Sequence, residues 1–269
     1  MSSCPSVTTF RQTYGPWAVV LGASDGTGEA FARALDTRGV NVVLVARREP
    51  LLARIAADLA VETRTVATDL TDPGAVSGIS DATGDLDVGL VIYNAGADPN
   101  SAALVDQPLD AQLAMVQRNC AAVLETSHRF GRRLLDRGRG GLVLVTSGTA
   151  WAGGATLATY GATKAFDLLL AESLWAEWRP AGVDALALVL GATDTPSLSR
   201  RIEEHGGEFG ELADPAEVAD EVLEHLGDGP TWSYGMPDPE GGSPFGSMRR
   251  RDAVELMSTV ATSARRAAD

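Results

Sequence analysis

Tyr160 and Lys164 stand one helical turn apart in the run Tyr160-Gly161-Ala162-Thr163-Lys164, so on a helix both side chains leave the same face. That pairing suits proton transfer. A phenol with its ordinary pKa near ~10 is a poor base at neutral pH. An ammonium roughly 4 Å away, in a medium of effective dielectric about 20, favours a phenolate by about 4 kcal/mol, which brings a phenol into working range. Ser147, thirteen residues upstream, closes a β-rich run, and its hydroxyl could hold the oxygen that gives or receives the proton. Tyr-x3-Lys alone arises by chance in many chains; the serine makes the set specific.

A second constellation lies near the start. Leu21-Gly22-Ala23-Ser24-Asp25-Gly26-Thr27-Gly28 joins an apolar run at 17–21 to a helical pattern through Ala30, Phe31, Ala34 and Leu35. Glycines permit a tight turn and let backbone approach a pyrophosphate, while the helix start adds unpaired N–H groups and a partial positive charge. The next apolar run ends at Ala46, followed by Arg47 and Arg48. An acidic residue there would accept from a ribose 2′-hydroxyl, whereas a guanidinium binds a 2′-phosphate bidentately or stacks on adenine. The expected cofactor is therefore NADP(H), with an NAD(H)-dependent alcohol dehydrogenase as the alternative. Asp25 is a counter-signal, being acidic inside the phosphate turn.

The elements that must position these residues follow from short apolar runs alternating with helical periodicity. Strands are expected at 17–21, 42–46, 63–68, 86–93, 141–147, 183–190 and 231–234, and helices at 51–59, 109–136, 159–178 and from Asp214-Pro215 to about Leu226. Such alternation predicts an α/β fold, a Rossmann-like doubly wound parallel sheet of about seven strands with helices on both faces. One domain is expected over 1–269, with its core at about 15–235. Residues 236–247, rich in Gly and Pro, read as irregular, and 249–266 as a terminal helix.

The glycine spacing Gly-x3-Gly-x-Gly, followed by Ser147 and Tyr160-x3-Lys164, resembles the short-chain dehydrogenase/reductase family, and further similarities extend to about residue 235. The resemblance implies an oxidoreductase that interconverts a ketone or aldehyde and an alcohol by hydride transfer. It implies that Asn94-Ala95-Gly96 lines the adenosine side of the cofactor and that Asp69-Leu70 reads the adenine amino group. Asn119 would hold a proton-relay water, and the segment Gly191 to Thr195, with Thr193, would surround the carboxamide. Ser147 would bind the substrate oxygen, Tyr160 would transfer the proton, and Lys164 would bind the nicotinamide ribose and tune the tyrosine. Trp151, Leu157 and Leu198 would border a mainly apolar substrate pocket, with the segment after Thr195 as a lid. Two positions depart from the family pattern: Leu21 stands where it has threonine and Leu190 where it has proline. The family also implies a homotetramer or homodimer packed through the helices at 109–136 and 159–178.

Composition narrows the field. A net charge of −14 argues against nucleic-acid partners, and the ten acids of 203–228, without a Lys or Arg among them, read as a solvated helix face with its flanking loop. Cys4 and Cys120 have neither metal spacing nor a disulfide framework, and His128, His205 and His225 have no ligand spacing, so no metal site is expected. No basic start with an apolar follow-on marks a signal peptide and no apolar run reaches ~18 residues, so a cytoplasmic protein away from membranes is expected. A rival class is a cofactor-binding sensor without turnover, against which the complete set Ser147, Tyr160, Lys164 and Asn119 speaks.

Overall fold

The computed structural model describes residues 7–96, 102–205, 211–235, 238–240 and 242–263. The apolar runs form seven strands in one sheet: β1 (Trp17–Leu21), β2 (Asn41–Ala46), β3 (Thr63–Ala67), β4 (Val88–Tyr93), β5 (Gly140–Ser147), β6 (Val183–Leu190) and β7 (Thr231–Ser233). All pairings are parallel and the order is β3-β2-β1-β4-β5-β6-β7. The connections are the helices α1 (Val7–Tyr14), α2 (Gly26–Thr37), α3 (Glu49–Asp58), α4 (Ala75–Ala82), α5 (Leu109–Val116), α6 (Ala122–Arg137), α7 (Ala158–Trp178), α8 (Pro196–His205), α9 (Pro215–Glu224) and α10 (Arg250–Ser263).

Strand period 2 explains why the inner strands are apolar over most of their length, since each successive residue enters a different core. Ala18, Val20, Val42, Leu44, Leu90 and Ile92 pack with Phe31 and Leu35 of α2, Ile55 of α3 and Val218 and Val222 of α9. Their neighbours Val19, Leu21, Val43, Val45, Val91 and Tyr93 pack against Ile79 of α4, Phe130 and Leu134 of α6, and Leu168 and Ala171 of α7.

Asp214 caps α9 as the sequence indicates, its Oδ1 accepting from Ala216 N at 2.7 Å with Pro215 in the first turn. Other expectations need correction. The helix expected over 109–136 is two helices, α5 and α6, joined by a π-helical turn at Gln117–Ala121. β4 starts at Val88 rather than Leu86, because Leu86 belongs to the turn before it: its N–H donates to Thr83 O, and its carbonyl accepts from Val88 N and Arg133 instead of joining the ladder. α1 and α4 carry too few apolar turns to show a period, and α8 occupies the segment expected to be a lid. The acidic stretch is more than a solvated face: Asp220 pairs with Arg38 at 2.6 Å and Glu221 accepts from Trp232 Nε1 at 2.7 Å. Among the described residues no helix is long and apolar enough to cross a membrane.

Candidate active site

The strand order reverses beside β1, where β2 leads one way and β4 the other. Loops leaving the carboxyl ends of the neighbouring strands β1 and β4 run to opposite faces and leave a crevice, the place where open α/β sheets bind ligands. On its first side the β1–α2 turn is pressed against the segment after β4. Gly22 N and Ala23 N donate to Val45 O at 2.8 and 3.1 Å, and Asn94 donates from its backbone N to Leu21 O at 2.9 Å and from Nδ2 to Gly22 O at 3.3 Å. Gly22 holds φ +86°, and a Cβ there would lie 2.8 Å from Ala95 N; at Gly28 one would collide with Gly22 O. Only glycine fits either position. Leu21, where the family has threonine, fills the core instead.

This turn fits a dinucleotide pyrophosphate. Asp25 occupies the N-cap position of α2 but makes no side-chain cap bond, so the helix's first N–H groups have no capping side chain. The Asp25 charge, which would repel a phosphate, is met by Arg48 at 3.3 Å and by Arg200 of α8 at 3.7 Å. Arg48 also donates to Ser24 Oγ at 3.3 Å. It is therefore Arg48 that folds back over the turn, while Arg47 lies more exposed and reaches Asp69 at 3.5 Å. Asp69 accepts from Thr71 N and Thr71 Oγ1 at 3.0 and 2.8 Å; burial pushes its carboxyl up, but these bonds and Arg47 bring it below the usual carboxylate range. Leu70 beside it is buried.

On the other side, β5 ends at Ser147, whose Oγ accepts from Thr149 N at 3.3 Å as the short 3-10 turn Gly148–Ala150 begins. The first turn of α7 lies against that 3-10 turn, since a Cβ on Gly161 would be 3.3 Å from Thr149 O. Half-buried Tyr160 thus lies in the first turn of α7, packed beside the turn that follows Ser147. Thr146 Oγ1 donates to Lys164 O at 2.6 Å, fixing α7 to β5 one turn further in.

Lys164 is buried, and its Nζ donates to Val145 O at 2.9 Å and to Asp167 Oδ2 at 3.0 Å. Burial pulls its ammonium down, yet Asp167 and Tyr160 outweigh that and hold it above the ordinary lysine value. Gly96, at φ +156°, lies over it; a Cβ there would be 2.9 Å from Nζ and 3.2 Å from Asn119 Oδ1. Asn119 sits in the π-helical turn, fully buried, donating from Nδ2 to Thr163 Oγ1 at 3.0 Å and accepting at Oδ1 from Arg118 Nε at 3.1 Å. The structure therefore gathers Ser147, Tyr160, Lys164 and Asn119 at one end of β5.

Thr195 caps α8, its Oγ1 accepting from Leu198 N at 3.2 Å, and its methyl faces Gly26, so α8 starts against the phosphate turn. Thr193 is buried and bridges Ala213, and Gly191 lies open. The 151–157 loop is held by α10: Arg250 donates to Trp151 O at 2.9 Å, Ala155 N donates to Ser258 Oγ at 2.9 Å, and Met257 packs at Gly154. Nothing in the sequence ties α10 to this loop. The Thr149 and Thr156 hydroxyls, in the same stretch, are buried without a hydrogen-bond partner among the described residues.

The histidines are elsewhere. His225 stacks on Trp232 at 4.0 Å and bonds Asp228 at 2.7 Å, His128 is exposed on α6, and the side chain of His205 lies outside the described residues. Burial, then Asp167, pushes the Cys120 thiol up to about 11, away from any nucleophilic use. Among the described residues no His, Cys, Asp and Glu cluster could hold a metal ion. Sequence reasoning missed Asp167, whose signal is its place seven residues after Tyr160 on the same helical stripe.

Residues 16–206 match the short chain dehydrogenase family profile. A 7β-hydroxysteroid dehydrogenase of Collinsella aerofaciens is 35% identical over 227 residues, covering 81% of this chain and 85% of that protein. A solved structure from a study of 7β-hydroxysteroid dehydrogenase stereoselectivity superposes with TM-score 0.82 at 30% identity, covering 92% of this chain and 98% of the other. A short-chain dehydrogenase of Sphingobium yanoikuyae solved with NADPH gives TM-score 0.73 at 26% identity, over 83% and 90% of the two chains.

Proposed function

Because the chain belongs to the short-chain dehydrogenase family of oxidoreductases, we propose that it uses NADP(H) to interconvert a ketone and a secondary alcohol on a bulky, mainly apolar, steroid-like substrate. The observation that carries this is the stripe of α7 on which Tyr160 lies in the first turn with Lys164 buried one turn behind it, under Gly96. The roles follow from placement. Ser147 hydrogen-bonds the reacting oxygen. Tyr160 gives that oxygen a proton during reduction and takes it back during oxidation. Lys164 stabilises the phenolate left behind and offers its remaining N–H towards the cleft. Asn119, through Thr163, fixes the start of α7 against the π-helical turn. A bound nicotinamide supplies or accepts the hydride at the neighbouring carbon.

NADP(H) is favoured over NAD(H) by Arg48 and Arg47 at the end of β2, where a 2′-phosphate needs cations. Gly22, Gly26, Thr27 and Gly28 cradle the pyrophosphate. Asn94, Ala95, Gly96, Asp69 and Leu70 flank the adenosine, and Gly191, Thr193 and Thr195 the carboxamide. The steroid-like substrate rests on the similarity to 7β-hydroxysteroid dehydrogenases, and Trp151, Leu157 and Leu198 are the residues proposed to border it. Leu109, Leu113, Val116, Leu124 and Leu169 stand exposed on α5, α6 and α7, which favours a homodimer or homotetramer through those helices. The test is NADPH oxidation with 7-oxo steroids and a panel of smaller ketones. Tyr160→Phe should lower kcat by about 10²–10⁴-fold while leaving NADPH binding intact. Full turnover by that variant would refute the mechanism, and turnover of charged, sugar-like substrates alone would refute the substrate class.

A further inference from the structure

We propose that Asp167 is a positioning residue for this reaction: its carboxylate holds Lys164 in place as a buried ammonium, with one N–H left for the cleft. The proposal rests on the roles assigned above to Tyr160 and Lys164. Residues 160, 164 and 167 are spaced i, i+4 and i+7, so they form one stripe of α7, with Asp167 at its inner end. An ammonium has three donors. Two are committed, to Val145 O at 2.9 Å and Asp167 Oδ2 at 3.0 Å, and Nζ lies against the bare backbone of Gly96 at the cleft wall.

The need for Asp167 is electrostatic. Both side chains of the pair are only 3% exposed. A lone ammonium at that depth loses several kcal/mol of solvation and sheds its proton instead, and a carbonyl acceptor does not balance a full charge. The groups that act on Lys164 are Asp167 and Tyr160 from its own helix and Arg118 from the π-helical turn. Cys120 of that turn and Tyr93 of β4 complete the surroundings, both pushed up by burial first and then by the Asp167 charge. Asp167 is the one carboxylate in this set of described residues, and Arg118 works against the ammonium.

Stability does not explain the pair. A buried ion pair seldom outweighs its own desolvation, and a well-packed apolar residue is often as good or better for the fold. Asp167 also leaves Oδ1 buried without a partner among the described residues, a further cost of about 1–3 kcal/mol. The carboxylate offsets only part of the field at Tyr160, because seven residues place it about 10 Å along the helix from Tyr160, against one turn for Lys164.

Removing the charge gives a signed prediction. Burial and Arg118 both favour neutral lysine, so without Asp167 the amine loses its proton at lower pH, and reduction fails earlier as pH rises. The experiment compares the NADPH-dependent reductase activity of wild type, Asp167→Asn, Asp167→Ser, Asp167→Glu and Tyr160→Phe from pH 6 to 10, with folding checked by thermal melting. In both neutral variants the alkaline limb of kcat should move down by about one pH unit or more, and Asp167→Glu should return it towards wild type. A folded neutral variant with its limb in place, while Tyr160→Phe is inactive, overturns this inference and leaves the proposed mechanism standing. Activity in Tyr160→Phe sinks that mechanism itself. Failure of both neutral variants to fold assigns the carboxylate to the fold and overturns the proposal as well.

Discussion

The Arg48 side chain offers the sharpest test of cofactor choice, because its effect on the fold separates from its effect on the ligand. It meets Asp25 at 3.3 Å and Ser24 Oγ at 3.3 Å while remaining about half exposed. An ion pair at that exposure adds at most about 1 kcal/mol to stability, so Arg48→Ala should lower Tm by no more than about 4 °C. Towards a 2′-phosphate the same guanidinium supplies a charge-assisted bond of about 1.5–2.5 kcal/mol. At 1.4 kcal/mol per tenfold this weakens NADPH binding by roughly ten- to sixtyfold. The variant also leaves Asp25 with Arg200 at 3.7 Å, and its fuller negative charge repels the pyrophosphate of either cofactor. That loss is common to both, so the quantity to measure is the ratio of Kd for NADPH to Kd for NADH, followed by nicotinamide fluorescence at fixed salt. The ratio should rise by the full ten- to sixtyfold in Arg48→Ala. Arg47→Asp, which also places a negative charge beside the phosphate, should take it past unity. An unchanged ratio in both variants would refute the reading of the arginines as phosphate binders.

Three further outcomes follow from contacts outside the phosphate turn. Tyr14 donates to Asp184 Oδ2 at 2.6 Å, and Asp184 is held above the ordinary carboxylate range by burial, with Tyr14 drawing it back and Asp228 pushing it up. That bond favours the ionised form, so Tyr14→Phe should cost about 1–2 kcal/mol at pH 7.5 and progressively less towards pH 5, as Asp184 takes its proton; melting curves with a pH-independent gap would contradict this. Met257→Ala should loosen α10 from the 151–157 loop and raise KM for a bulky ketone by roughly five- to tenfold, equivalent to about 1 kcal/mol, without altering kcat for a small one. Leu113→Glu with Leu169→Glu, both exposed on α5 and α7, should give a monomer in sedimentation experiments where the wild type sediments as the proposed dimer or tetramer, with the far-ultraviolet spectrum unchanged.

What could be read in the sequence divides along the range of the interactions. Strands β1, β2, β4 and β6 announce themselves because a strand buried on both faces has no polar position to spare, so composition alone marks them. The phosphate turn is legible because Gly22 and Gly28 answer to backbone atoms a few residues away or one strand over. The break of 109–136 into α5 and α6 is not, since a π turn alters the helical period by a single residue and leaves the apolar pattern intact. The docking of α10 on the 151–157 loop depends on Ser258 and Arg250 meeting backbone about a hundred residues distant, which no local pattern encodes.

Asp167 falls between these cases, and its position says something about how the site is built. Its spacing from Tyr160 is local and visible, but an acid on a helix reads first as a solvated residue, and only the packing of α7 against β5 and the π turn shows that it is buried. The burial turns an ordinary i, i+3 ion pair, worth a few tenths of a kcal/mol on a helix surface, into the counter-charge that a buried ammonium requires. Tyr160 and Lys164 are thus recognisable from four residues of sequence, whereas what keeps Lys164 charged depends on three elements closing around it. Substituting a small residue that permits that closure should disturb the lysine. Gly96→Ala is the direct case: its Cβ would stand 2.9 Å from Nζ and 3.2 Å from Asn119 Oδ1, so the ammonium must move by a few tenths of an ångström relative to its two acceptors. The variant should share the lowered alkaline limb of Asp167→Asn although it removes no charge. Were its pH profile that of wild type, geometry around Nζ would not be what sets the lysine.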